Sequence, residues 1–331
     1  MAKTLKANGS SNRKAGDLGK RASKADKNGG KDKVVGIIGL GIMGGAFAQN
    51  LIKNGWTVYG IDTDPSRQKA MKKAGVTLGR DVRDVLDNAE VVITSLPSAK
   101  ALHAVVEEII AAQAKPHIII EASTFTLDDK IAAEKTLRKA GHTTLDCPMS
   151  GTGAQAAVGD LVVYASGDSK AIKKVQPIFE GFSRQTYDIG AFGNGSKMKY
   201  VANLLVAIHN IAAAEAMVLG MKAGLDPDQI LKFATVGAGN SRMLEIRGPM
   251  MAKGDYSEAT MKNTVWQKDM SVIGEYANKL GVATPLFSAT LPIYASTLST
   301  GYAEQDTAAV CGVLEQMAGI KRGKKGKVKT K

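Results

Sequence analysis

The run Val34-Val35-Gly36-Ile37-Ile38 leads directly into Gly39-Leu40-Gly41-Ile42-Met43-Gly44, and a helix-forming stretch follows at once. A β-branched strand, a G-x-G-x-x-G turn, a helix and then a second strand ending in Asp62 make up a dinucleotide-binding β-α-β unit. Each glycine has its own task. Gly39 permits the tight turn, Gly41 lets the backbone approach a pyrophosphate, and Gly44 lets the helix pack close to the strand. The pyrophosphate then meets the free N–H groups and the positive end of the helix, with Ile42 and Met43 in its first turn. Asp62 follows Gly39 by 23 residues. A carboxylate there accepts hydrogen bonds from the ribose hydroxyls of NAD and repels the 2′-phosphate of NADP, so NAD is the expected cofactor and NADP the lesser choice. Arg67 nearby is the one counter-argument.

The pattern that follows extends this unit. Val34–Ile38, Thr57–Ile61, Val91–Ser95 and Ile118–Glu121 are short β-branched runs. Met43–Asn54, Ser66–Ala74, Ala99–Gln113 and Leu127–Ala140 between and after them have helical character. Such alternation predicts a parallel sheet covered on both faces. Thr143–Asp146, Leu161–Ala165 and Gln185–Tyr187 read as further strands at its far edge. Beyond Gly195 the β-branched runs vanish, and helices are expected near 196–222, 227–236, 241–250, 264–280, 284–299 and 304–318. The expected fold is an α/β Rossmann-type doubly wound sheet over 34–193, followed by an all-α domain over 194–320 for substrate and dimer contacts.

The net charge of +13 suggests nucleic acid until it is located. Residues 1–33 carry +7 and residues 321–331 another +7, which leaves −1 for 34–320. Both ends are poor in large apolar residues and read as disordered basic tails. A nucleic-acid-associated protein using tails to neutralise phosphates is therefore the alternative class. The near-neutral body and the lack of interleaved aromatics in the tails argue against it. Cys147 and Cys311 give no disulfide framework, which points to a reducing, cytoplasmic setting. The N-terminal segment has no apolar signal core. No membrane span is expected, since the longest apolar stretch, 201–220, is interrupted by Asn203, His209, Asn210 and Glu215.

Two further constellations carry chemistry. Ser150-Gly151-Thr152-Gly153 follows a strand, and a Ser/Gly turn of this kind can offer a hydroxyl and several N–H groups to a carboxylate. Gly195-Ser196-Lys197-Met198-Lys199 opens the long helix. At 100° per residue Lys199, Asn203, Val206 and Asn210 share a stripe of an otherwise apolar helix. Placed in the first turn, Lys199 would feel the positive dipole end and partial burial. Both disfavour the ammonium and lower its pKa, as proton transfer requires.

Taken in order, these motifs resemble the β-hydroxyacid dehydrogenase family, which includes 3-hydroxyisobutyrate dehydrogenase and 2-hydroxy-3-oxopropionate reductase. The resemblance spans roughly Val34 to Ile320. It rests on Gly39-Leu40-Gly41-Ile42-Met43-Gly44 with Ala48, Asn50 and Leu51, on Asp146-Cys147-Pro148-Met149-Ser150-Gly151-Thr152, on Gly195 through Lys199 to Asn203, and on Lys268-Asp269. Thr152 stands where the family has a second glycine. The resemblance implies Lys199 as general acid/base, with Asn203 holding it and the substrate hydroxyl. It implies Ser150, Gly151 and Thr152 as the carboxylate grip, with Ser123 and Thr124 beside nicotinamide and substrate. Leu96 and Pro97 would line the cofactor cleft, and Lys268 would reach it from the helical domain. Asn240 falls in a segment that often meets substrate. The implied activity is hydride transfer between NAD(P) and a small 3-hydroxy acid or its semialdehyde, in a homodimer or homotetramer. Imine reductases resemble the family too, but they usually carry Asp or Tyr where Lys199 stands. Few charged residues can be assigned to the pocket, so a small monocarboxylate is expected rather than a phosphorylated sugar acid.

Overall fold

The computed structural model describes residues 33–322 and 328–329. The expected tails lie largely outside them. The sheet part runs β1 (Val34–Ile38), α1 (Ile42–Lys53), β2 (Thr57–Ile61), α2 (Pro65–Lys73), β3 (Thr77–Leu78), α3 (Val82–Asn88), β4 (Val91–Thr94), α4 (Ala99–Ala111), β5 (Ile118–Glu121), α5 (Leu127–Lys139) and β6 (Thr143–Asp146). Their strands form one parallel sheet in the order β3-β2-β1-β4-β5-β6. The order reverses between β1 and β4, and the crevice at that switch point is where ligands bind in open α/β sheets.

Strand alternation divides the core. Val35 and Ile37 of β1, with Val91 and Ile93 of β4, join Phe47, Leu51, Phe179 and Phe182 on one face. Ile38 and Val92 point the other way and join Val85, Leu86, Leu102 and Ile109. Period-2 side chains buried on both faces explain why these strands read as continuous Val/Ile runs. Side-chain caps set several helix starts. Asp64 accepts from Ser66 N with Pro65 at the first position of α2, and Ser98 and Thr126 cap α4 and α5.

The chain then makes β7 (Met149–Ser150), α6 (Gly153–Ala157), β8 (Val162–Ala165), α7 (Ser169–Glu180) and β9 (Gln185–Asp188). Here the expectation is corrected. Only Thr143–Asp146 extends the main sheet. Val162–Ala165 and Gln185–Asp188 form a separate three-stranded sheet with β7, antiparallel to β7 and parallel to each other. Ser150 is thus an edge-strand residue, and Thr152 caps α6 in a reciprocal box with Gln155 rather than lying in an open loop.

The helical part comprises α8 (Asn194–Lys222), α9 (Pro227–Ala234), α10 (Arg242–Lys253), α11 (Asn263–Lys279), α12 (Pro285–Ser299) and α13 (Val310–Met317). Its core gathers around α8, with Ala207, Ala214, Met217 and Met221 packed against Met251, Trp266, Met270, Phe287 and Val310. By length and hydropathy α8 could cross a membrane, against the sequence expectation, but half of that stretch is buried inside the protein. Asn210 is fully buried there and donates to Tyr294 Oη at 3.0 Å and to Thr307 O at 3.0 Å. The start of the expected C-terminal tail is ordered. Lys321–Arg322 form β10, antiparallel to β11 (Val328–Lys329). The Arg322 guanidinium reaches Glu315 and the carbonyl of Ala252, so a buried carboxylate holds this segment to the body.

Candidate active site

The glycine loop lies where β1 ends. Gly41 is the N-cap of α1 and no side chain caps it, so the first N–H groups of the helix stay open to an anion. Ile42 is exposed beside them, and Met43 is half-buried. A Cβ on Gly44 would lie 1.9 Å from the Gly39 carbonyl oxygen, so helix and turn touch backbone to backbone. An open helix start held this close to the strand fits a dinucleotide pyrophosphate. Gly44→Ala is expected to weaken NADH binding more than tenfold by fluorescence titration and to cost about 1–3 kcal/mol in stability. Wild-type affinity would remove the loop from the site.

Asp62 is buried and does more than the sequence suggests. Its Oδ2 accepts from Leu40 N at 2.7 Å and its Oδ1 from Asp64 N at 2.8 Å, so the carboxylate ties the glycine loop to β2. Arg67 Nη1 stands 3.7 Å from Asp62, beside Gly41. The next two strands supply the other wall. Leu96 and Pro97 follow β4, and Leu96 N donates to the Ser123 hydroxyl at 2.9 Å. Ser123 N donates to Glu121 at 2.9 Å. From α11, Lys268 donates to the carbonyl of Thr124 at 2.6 Å, with its ammonium 5.2 Å from the Phe125 ring centre. Lys268 therefore reaches the sheet part at the segment expected to face the cofactor.

Ser150, Gly151, Thr152, Lys199 and Asn203 all line one cavity of about 410 Å³. Lys199 belongs to the second turn of α8, not the first, so the helix dipole acts on it more weakly than expected. Burial instead lowers its pKa. Nearby Lys268 adds to that, and Asp269 opposes it. Among the described residues no side chain or carbonyl accepts a hydrogen bond from Lys199. The expected clasp by Asn203 is also revised, since the Asn203 amide donates to Asp269 Oδ2 at 2.9 Å. Asn240 donates to Glu245 and does not line the cavity.

What holds Lys199 in place comes from residues distant in the chain. Asp146, fully buried at the end of β6, accepts from Ser196 N at 2.7 Å and Ser196 Oγ at 2.9 Å. It also receives Lys130 Nζ at 2.7 Å, and Lys130 pairs with Glu121 at 2.6 Å. A Cβ on Gly195 would lie 2.6 Å from the carbonyl oxygens of Asp146 and Tyr164, so only glycine lets α8 start against these strands. Tyr200 adds a bond from its hydroxyl to Phe125 O. The first turns of α8 are thus bolted to the sheet from three directions. Arg184, His209, Arg242 and Arg247 also line the cavity, and no motif pointed to them.

Comparison with known proteins follows the same division. Residues 34–190 match the family described as NAD binding domain of 6-phosphogluconate dehydrogenase. Residues 193–314 match that described as NAD-binding of NADP-dependent 3-hydroxyisobutyrate dehydrogenase. The chain is 31% identical to an L-threonate dehydrogenase of Haemophilus influenzae over 88% of this chain and 97% of the relative. It is 32% identical to an NAD-dependent L-serine dehydrogenase of Pseudomonas aeruginosa, covering 84% and 96%. The solved 3-hydroxyisobutyrate dehydrogenase of Mycobacterium tuberculosis with L-serine superposes with a TM-score of 0.78 at 27% identity, covering 86% and 99%.

Proposed function

The chain belongs to the β-hydroxyacid dehydrogenase family, and we propose that it oxidises the hydroxyl of a small 3-hydroxy acid, or reduces the matching semialdehyde, with Lys199 as general acid/base. It is an oxidoreductase acting on CH–OH with NAD as cofactor. One observation carries the finer reading. A lysine with no hydrogen-bond partner among the described residues and a lowered pKa shares a cavity with the Ser150-Gly151-Thr152 edge.

NAD, when bound, accepts the hydride. The residues of this chain do the rest. The Ser150–Thr152 edge receives the carboxylate, which sets the carbinol against Lys199. The neutral amine takes the hydroxyl proton in oxidation, and the ammonium returns it in reduction. Asn203, tied to Asp269, keeps its carbonyl oxygen for the substrate hydroxyl. Orientation by these groups supplies much of the rate. By the family resemblance Lys199 stands where imine reductases usually carry Asp or Tyr, which favours hydroxy-acid chemistry over imine reduction. Self-association belongs to the same proposal, with Val201, Leu205 and Leu219 exposed along α8.

The test is a panel of 3-hydroxyisobutyrate, glycerate, threonate, L-serine and 4-hydroxybutyrate with NAD and with NADP. NAD reduction by at least one acid is expected. A protein that binds NADH yet turns over none of them, with either cofactor, is not the enzyme proposed.

A further inference from the structure

The cavity holding Lys199 carries more positive charge than one carboxylate requires. Arg184, Arg242 and Arg247 line it together with Lys199 and His209, and among the described residues no Asp or Glu side chain does. Arg184 and Arg242 are more than half exposed, and each is paired outside the lining, with Asp160 at 2.7 Å and Glu245 at 2.8 Å.

Arg247 differs. Its side chain is only 3% exposed. Its Nε donates to Asp306 Oδ1 at 3.2 Å, and its Nη1 meets only the sulfur of Met243, at 3.1 Å. Among the described residues Nη2 has no acceptor. A guanidinium has five N–H donors, and a thioether is a weak acceptor. Asp306 balances the Arg247 charge but has no acceptor site free for a second bond to it, because the same carboxylate also accepts from Thr260 N and Oγ1, Met261 N and Ala308 N. The remaining Arg247 donors are therefore open to an acceptor that enters the cavity. Size agrees. A cavity of about 410 Å³ falls within the ~300–1,000 Å³ of sites that take larger ligands than a four-carbon acid.

We infer that the substrate carries a second small oxyanion, a carboxylate in the simplest case, seated on Arg247 with Arg242 at the exposed side of the cavity. This rests on the hydroxy-acid reading of the Lys199 end and adds the other end. It replaces the sequence expectation of a small monocarboxylate. An arginine fork binds a planar oxyanion through two parallel bonds, which lysine cannot reproduce.

Two measurements test it on the full chain with NADH or NAD bound. In calorimetric titration, glutarate or 4-phosphonobutyrate is expected to bind at least tenfold more tightly than butyrate. The tighter of the two identifies the oxyanion. In turnover, 2-(hydroxymethyl)succinate is expected to exceed 3-hydroxyisobutyrate at least tenfold in kcat/KM. Arg247→Lys keeps the charge opposite Asp306 and should fold. It should bring both ratios down several-fold, and Arg242→Gln should do so more mildly. Equal binding and equal turnover of mono- and dianions in the wild type would overturn the inference, as would ratios unmoved by both variants. Glutarate selectivity without turnover of any hydroxy acid would sink the proposed reaction and keep the anion site. Turnover of 3-hydroxyisobutyrate with no dianion advantage would do the reverse.

Discussion

Lys199→Ala is expected to lower kcat by about 10²–10⁴-fold, the usual contribution of a positioned proton donor or acceptor, while NADH binds as in the wild type. The two readouts separate because Lys199 lines the cavity with Ser150 and Asn203, whereas the glycine loop is built from β1 and α1. Lys199→Arg should be nearly as damaging, since a guanidinium does not release its proton near neutral pH. The pH profile gives a second check. Burial lowers the Lys199 pKa, Lys268 helps and Asp269 opposes. Oxidation needs the neutral amine, so wild-type kcat/KM should rise with pH and level off below the ~10.4 of a free lysine. In the reductive direction, which needs the ammonium, the limb should fall with pH through the same midpoint. Full turnover by Lys199→Ala, or a profile without that limb, would sink the assignment.

What could be read from the sequence follows the range over which each signal acts. β1, the glycine loop, α1 and β2 appear at their expected positions because one strand, one turn and one helix carry the whole pattern. The helices of the second part were legible for the same reason, to within a few residues, except that the last begins at Val310 rather than near 304. Two short elements, β3 and α3, are too brief for periodicity to show. α7 went unread as well, although Asp168 caps it and Ile172, Val175, Ile178 and Phe179 recur at helical spacing. Partition between two sheets was not legible either, because a β-branched run does not declare which neighbour it pairs with.

The site shows the same division. Lys199, Asn203 and Ser150 stand in local motifs and line one cavity. Arg247 and Asp306 are 59 residues apart, and Lys130, Glu121 and Asp146 come from three elements. In the sequence Lys130 reads as one more surface charge on an amphipathic helix. The fold buries it completely and leaves its neighbour Ile131 44% exposed. No helical periodicity forecasts that inversion, because its cause lies in two carboxylates at the ends of β5 and β6.

Lys130→Met is expected to cost about 3–5 kcal/mol, the range for removing one partner of a buried ionic group. In the wild type the ammonium lies 2.6 Å from Glu121 and 2.7 Å from Asp146, with all three side chains buried. Burial alone would pull the Lys130 pKa down. The attraction of Asp146 and Glu121 outweighs it and holds the ammonium above its ordinary range. The sign follows from that direction. A folded pKa above the unfolded one gives stability that is complete below ~10.4 and lost only as pH rises beyond it. The wild-type cluster is therefore intact across the neutral range. In the variant two carboxylates face each other in the interior without a cation. Urea melts of wild type and variant at neutral pH measure the cost. The damage should also reach the chemistry. Asp146 holds Ser196 N and Oγ, three residues before Lys199, so a loosened Asp146 lets the start of α8 shift. Well below its melting range the folded variant should keep NADH binding and lose kcat. A variant as stable as the wild type, with unchanged kcat, would show that the cluster neither holds the fold nor positions Lys199.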